Sequence, residues 1–231
     1  MRCRTASLVA CALILASRPV LAQYVQQGPK LVGSDAVADA IQGISTALSG
    51  DGNTALIGGF GDNFDVGAAW VWTRTGSVWT QQGPKLVGSG AVGAFTCQGL
   101  SVALSDDGNT ALIGSCDNSN TGAAWVWTRT GGVWTQQGPK LVGSGAVGAP
   151  RQGISVALSS DGNTALVGGL DDNADVGAAW VWTRSGGVWT QQGSKLVGSG
   201  AVGAARQGMA VALSSRREGC LARSPGRTPT F

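Results

Sequence analysis

The chain has no histidine, a single glutamate (Glu218) and a single tyrosine (Tyr24). General acid–base catalysis draws first on histidine and then on tuned carboxyl pairs, so these absences leave only aspartate for the task. No serine or cysteine stands beside a plausible base, and an enzyme is not expected. A hydrolase built on a pair of loop aspartates is the most distant reading the residues leave open. Charge is scarce too, at 13% of residues. Between residues 23 and 215, nine Lys and Arg are set against twelve Asp. Cations this thinly spread make no basic face, which excludes a nucleic-acid partner. Long apolar runs are also missing. The stretch Leu8–Ala16 is too short to span a bilayer and no later segment approaches about 18 to 20 apolar residues, so no integral membrane protein is expected. With Arg2 and Arg4 before that stretch and Val20-Leu21-Ala22 after it, residues 1–22 read as a secretory signal cleaved after Ala22. Cys11 precedes most of the apolar stretch, so a lipid anchor is not expected. The mature chain belongs in the periplasm or outside the cell.

What the sequence has in abundance is glycine, at 38 residues, and tryptophan, at nine, and both recur on a fixed period. Trp70, Trp125 and Trp180 are 55 residues apart, as are the Gln-Gln pairs that begin at Gln26, Gln81, Gln136 and Gln191. A period of this size marks a repeat architecture in which no unit buries its apolar face alone. In the third copy, Ile154–Ser159 and Thr164–Gly168 are two runs of β-formers around Asp161-Gly162-Asn163. Asp-Gly-Asn supplies the positive φ that a tight hairpin demands. A polar loop, Asp171–Asp175, leads to Gly177–Arg184, then to a Ser-Gly-Gly turn and Val188–Gln192. This predicts four antiparallel strands per 55 residues. Ala179, Val181 and Thr183 fall on one side of the third strand, Trp180 and Trp182 on the other. Neither side suits bulk water, so each unit should be a propeller blade covered on both faces. The expected fold is all-β, a β-propeller of four-stranded blades over residues 23–215.

The segments Gln-Gly-Ile-Ser-Val-Ala-Leu-Ser, Asp-Gly-Asn-Thr-Ala-Leu-Val-Gly-Gly and Gly-Ala-Ala-Trp-Val-Trp resemble bacterial FG-GAP repeats, relatives of the blades in the integrin α-chain head. The resemblance covers residues 24–214 and implies a secreted or surface-associated propeller. Integrin-type blades often hold calcium in an Asp-Gly loop, which makes Asp51, Asp107 and Asp161 the candidate ligands here. One carboxylate per loop is far short of the six to eight oxygens calcium takes. Turn chemistry explains these aspartates without a metal, and no cofactor is expected. The loops around Asp62 and Asp65, Asp117, and Asp171, Asp172 and Asp175 vary between copies and read as solvated tips. Gly143, Gly145 and Gly148 lack the Lys-Ser/Thr ending of a phosphate loop.

Of the tryptophans, Trp70, Trp72 and their equivalents read as core, since burying each removes about 150 to 250 Å² from water. Trp79, Trp134 and Trp189, which follow a glycine turn, are the candidate ligand-facing aromatics. They leave two binding readings, a scaffold for a protein or surface partner and a lectin-like propeller. Cys97 lies ten residues before Asp107 and Cys116 nine after, at the open end of one hairpin. An exported compartment permits the disulfide this predicts.

The fourth copy breaks off. Met209–Ser214 reads as a first strand, but Arg216-Arg217-Glu218 stands where Asp-Gly-Asn should follow. One extra C before codons GAC, GGG and AA- spells Arg-Arg-Glu, so residues 216–231 are expected to be an out-of-frame, disordered tail. Three complete units, an unpartnered outer strand at Tyr24–Val32 and an inner one at Met209–Ser214 would leave open edges that invite self-association.

Overall fold

The computed structural model describes residues 25–116 and 121–214. Residues 1–22, for which a signal is expected, residues 216–231, for which an out-of-frame tail is expected, and Asp117 lie outside these residues. Three four-stranded antiparallel sheets follow one another along the chain. The first blade comprises β1 (Ser45–Leu48), β2 (Thr54–Gly59), β3 (Ala68–Thr75) and β4 (Val78–Gln81). The second holds β5 (Ser101–Leu104), β6 (Thr110–Ser115), β7 (Ala123–Thr130) and β8 (Val133–Gln136). β9 (Gln152–Leu158), β10 (Thr164–Gly169), β11 (Ala178–Ser185) and β12 (Val188–Gln191) make the third. Each blade is an up-and-down meander in sequence order, the signature of a propeller. The ring is not closed among the described residues.

The period-two alternation of the third strand sets how the blades stack. Leu56, Ala69, Val71 and Leu86 of the first blade meet Leu104, Ala111 and Ile113 of the second. The same faces meet again where Leu112, Ala124, Val126 and Leu141 pack on Ala165, Val167 and Trp180 of the third blade. Trp125 and Trp180 are completely buried at these seams, and Trp70 is completely buried on the opposite face of the first blade. Main-chain bonds tie the hairpin turns together, Gly50 N–H donating to Asp106 C=O at 2.8 Å and Asp106 N–H to Ser160 C=O at 2.9 Å.

The two ends of the stack differ from its interior. Val25–Val32 forms no strand, although Leu31 and Ala36 still cover the Trp70 face of the first blade. Met209–Ser214 also forms no strand, contrary to the sequence expectation. The chain is pinned as far as Gly208: Gln207 N–H donates to Val176 C=O, and Gly208 C=O accepts from Ser155 Oγ–H at 2.7 Å. Beyond it no second strand is offered among the described residues, and a lone edge segment cannot satisfy its own backbone groups. The exposure that results is specific. Leu86 and Leu141 are 3% and 4% exposed, whereas Leu196 at the equivalent position is 54% exposed.

Candidate functional site

The same pocket occurs three times, twice between neighbouring blades and once between residues 27–32 and the first blade. After β4 the chain returns along β3, Gln82 N–H donating to Val71 C=O and Leu86 pairing with Ala69. The intervening Gly83-Pro84-Lys85 leaves the ladder, as Gly193-Ser194-Lys195 does after β12 between the same two pairings. Residues 83–85 face the β7–β8 hairpin of the next blade, enclosing about 360 Å³ lined by Gln82, Pro84, Leu86, Trp127, Val133 and Trp134. Pockets of about 340 Å³ at Trp72 and Trp79 and about 370 Å³ at Trp182 and Trp189 repeat this arrangement.

The candidate aromatics Trp79, Trp134 and Trp189 are half-buried and form a wall of each pocket. Strand register places each opposite an arginine, Arg74↔Trp79, Arg129↔Trp134 and Arg184↔Trp189. Every guanidinium lies 5.4 Å from its ring centroid, close enough for a cation–π contact. Trp134 Nε1–H donates to Gln82 Oε1 at 3.1 Å and Trp189 Nε1–H to Gln137 Oε1 at 2.9 Å. These rings are held in place from behind, with the pocket on the other side.

Trp70, Trp125 and Trp180 spend their indole donors inside the fold, on Asp35 Oδ1, Ser89 C=O and Ser144 C=O, each at 2.8 Å. Trp72, Trp127 and Trp182 do not. Their Nε1 atoms are buried without a hydrogen-bond partner in all three copies, and all three residues line the pockets. The sequence places these residues in the core, and Trp72 and Trp182 are indeed buried. The unspent donor was not legible from alternation, which assigns a face to a ring but not a partner to its nitrogen.

Asp51, Asp107 and Asp161 serve their own turns. Asp51 Oδ1 accepts from Ser49 Oγ–H at 2.5 Å and from Asn53 N–H at 2.9 Å, while Oδ2 accepts from the Asn53 amide. The Ser49 hydroxyl, followed by the Asn53 donors, pulls the Asp51 carboxyl down to about 2. The Asp161 carboxyl is lowered in the same way, first by Ser159. Burial works against Asp107, yet Ser105 and Asn109 still bring it below the ordinary range.

The acid-rich loops are not the solvated tips their composition suggests. Asp62 and Asp172 are fully buried at one-turn segments, Asp62–Asp65 and Asp172–Asp175, whose central residues Asn63, Phe64, Asn173 and Ala174 adopt left-handed φ. Asp62 Oδ1 accepts from Val37 N–H at 2.7 Å and Oδ2 pairs with Lys85. Asp172 does the same with Val147 and Lys195. A buried carboxylate is tolerated when paired and hydrogen-bonded in this way. The sequence held the signal in the shared 23-residue spacing from Asp62 to Lys85 and from Asp172 to Lys195.

Cys97 and Cys116, the pair for which the sequence predicts a disulfide, stand as thiols in the structure. The hydrogen bond to Cys116, with burial second, pushes the Cys97 thiol up.

No helix among the described residues is long and apolar enough to cross a membrane. No family model and no curated protein matches the chain. Among solved structures it is similar to Sqt1 of Saccharomyces cerevisiae, at 15% identity over 66% of this chain and 34% of that one, with a TM-score of 0.41. It is similar also to TolB of Acinetobacter baumannii, at 11% identity over 68% of this chain and 32% of that one, with a TM-score of 0.39. The chain thus spans about a third of the length of these proteins.

Proposed function

We propose that the chain is a secreted, non-enzymatic β-propeller scaffold of the FG-GAP type that binds a protein partner at a cell surface. The observation that carries this reading is the disposition of polar groups. The turn aspartates are saturated by their own hairpins, Asp62 and Asp172 are consumed by lysines, and the arginines are stacked behind tryptophans. What recurs toward solvent is an apolar, aromatic-walled concavity, suited to recognition and lacking reactive groups. A lectin-like propeller is the second reading, favoured by the half-exposed Trp79, Trp134 and Trp189. The two separate on intact cells of the producing organism. The protein-partner reading expects retention of labelled, purified chain to be lost after protease treatment of the cells and to survive periodate oxidation of their glycans. The lectin reading expects the reverse.

A further inference from the structure

We infer that the rim of the first blade formed by Val37, Ile41, Phe64 and Phe95 docks a cationic segment of the partner that carries large apolar side chains, an assignment that rests on the protein-binding function proposed above. Phe64 is 73% exposed and Phe95 56%, and Val37 and Ile41 are exposed as well. Single exposed apolar side chains need no explanation, but a contiguous group of them marks a contact surface. Main-chain bonds make this group contiguous. Cys97 N–H donates to Asp65 C=O at 2.8 Å and Gln98 N–H to Val66 C=O at 3.0 Å, with Gly67 and Gln98 bridged in parallel. Counted back from that bridge, Phe64 stands opposite Phe95. Asn63 N–H donates to Val37 C=O at 2.9 Å, and the Ile41 side chain lies 3.0 Å from where a Cβ on Gly61 would sit, so both border the same turn.

The repeat supplies an internal comparison. On the third blade the same turn holds Ala174 in place of Phe64, Arg151 in place of Ile41 and Ala149 in place of Asp39, and the segment leading to Gln207 carries no aromatic. The blade folds without these side chains. Charge selects the occupant. Asp39 is exposed and Asp65 half-buried at the edge of the apolar group, and among the described residues neither carboxylate has a hydrogen-bond or ion-pair partner. The neighbouring cations are spent, Lys85 on Asp62 and Arg151 on Asp171. A face with aromatic anchors and unspent negative charge is complementary to Lys or Arg set beside apolar side chains. An anionic lipid surface is instead repelled, since attraction to it comes from clustered Lys and Arg.

The test uses the full chain and a fluorescein-labelled hexapeptide in which Arg alternates with Phe, with binding read by anisotropy. The same peptide with Glu in place of Arg, or with Ser in place of Phe, should bind about tenfold more weakly or worse. Phe64→Ser combined with Phe95→Ser should abolish binding and leave the melting temperature unchanged, since both side chains are already exposed. Asp39→Lys combined with Asp65→Lys should reverse the preference, so that the Glu peptide binds and the Arg peptide does not. Equal binding of the Arg and Glu peptides, or binding that survives loss of both phenylalanines, would overturn the assignment. Cosedimentation with phosphatidylglycerol vesicles that depends on Phe64 and Phe95 would overturn it in favour of a lipid surface. Peptide binding that emerges only once residues 216–231 are removed would overturn it in favour of the chain's own C-terminal segment. If protease-sensitive retention on cells persists alongside any of these, the scaffold function stands and only the docking assignment falls.

Discussion

Gly33, Gly88 and Gly143 are required for a reason that has nothing to do with turns. A Cβ on Gly143 would lie 2.1 Å from Trp180 Cδ1, and one on Gly88 2.2 Å from Trp125 Cδ1. Gly143 N–H also donates to Gln152 Oε1 at the buried seam. The equivalent Gly198, at the open end, would meet only the far end of the Gln207 side chain, at 2.9 Å. Gly143→Ala should therefore lower stability by about 1 to 3 kcal/mol, and Gly198→Ala by much less, compared by urea unfolding. A second expectation at this scale concerns sulfur. Chain produced under oxidising conditions should carry a Cys97–Cys116 disulfide, found by non-reducing peptide mapping. Closing a loop of this size stabilises by about 3 kcal/mol on the chain-entropy account, so reductant should lower the melting temperature. Recovery of both residues as free thiols would refute the pairing.

Among the elements, the hairpins were the most legible. Asp51-Gly52-Asn53, Asp107-Gly108-Asn109 and Asp161-Gly162-Asn163 name their own turns, and the strands around them form at the expected places. Less legible was whatever depended on partners distant in sequence. Nothing local distinguishes fully buried Asp62 from half-buried Asp65, because the difference is made by Lys85 and the Val37 backbone. Equally, Met209–Ser214 repeats the pattern of β1 and β5 but has no neighbour to pair with among the described residues, so sequence pattern alone overstates it. The turns carry a pH dependence whose sign follows from their carboxyls. Asp51, Asp107 and Asp161 all titrate lower in the fold than the ordinary carboxyl value of about 3.9. Between the unfolded and folded values the unfolded chain binds more protons, so their contribution is present above the ordinary carboxyl value and is lost as the pH falls through the folded values, which for Asp51 means toward about 2. Denaturant midpoints measured from pH 5 to pH 2 should decline, and the decline should flatten in Asp51→Asn. Because these oxygens already accept from Ser49, Asn53 and their equivalents, millimolar calcium and chelator should give coincident melting curves. A shift of several degrees would instead count the Asp-Gly turns as metal sites.

For the whole molecule, what matters is that the stack has two unlike ends. On the third blade, Leu166 and Val181 are only half-buried, where Leu56 and Val71 of the first are buried, and Leu196 and Val197 are exposed beside them. On the first blade, Leu48 is 60% exposed, where Leu104 of the second is 9%. These are the faces that meet twice inside the chain, at the seams of the first blade with the second and the second with the third. Their chemistry is therefore already matched. Head-to-tail contact between copies is a heterologous association, which either closes into a ring or continues as an open chain. The segment carrying Leu31 and Ala36 already covers the Trp70 face of the first blade. A second copy must displace that cover or dock beside it, which favours concentration-dependent association over a tight fixed dimer. Light scattering of the 231-residue chain should show mass rising with concentration. Leu196→Glu, a charge placed where the side chain is already exposed, should suppress that rise and leave the melting temperature of the dilute protein unchanged. A monodisperse monomer across the concentration range would show instead that the open faces are covered by the chain's own termini.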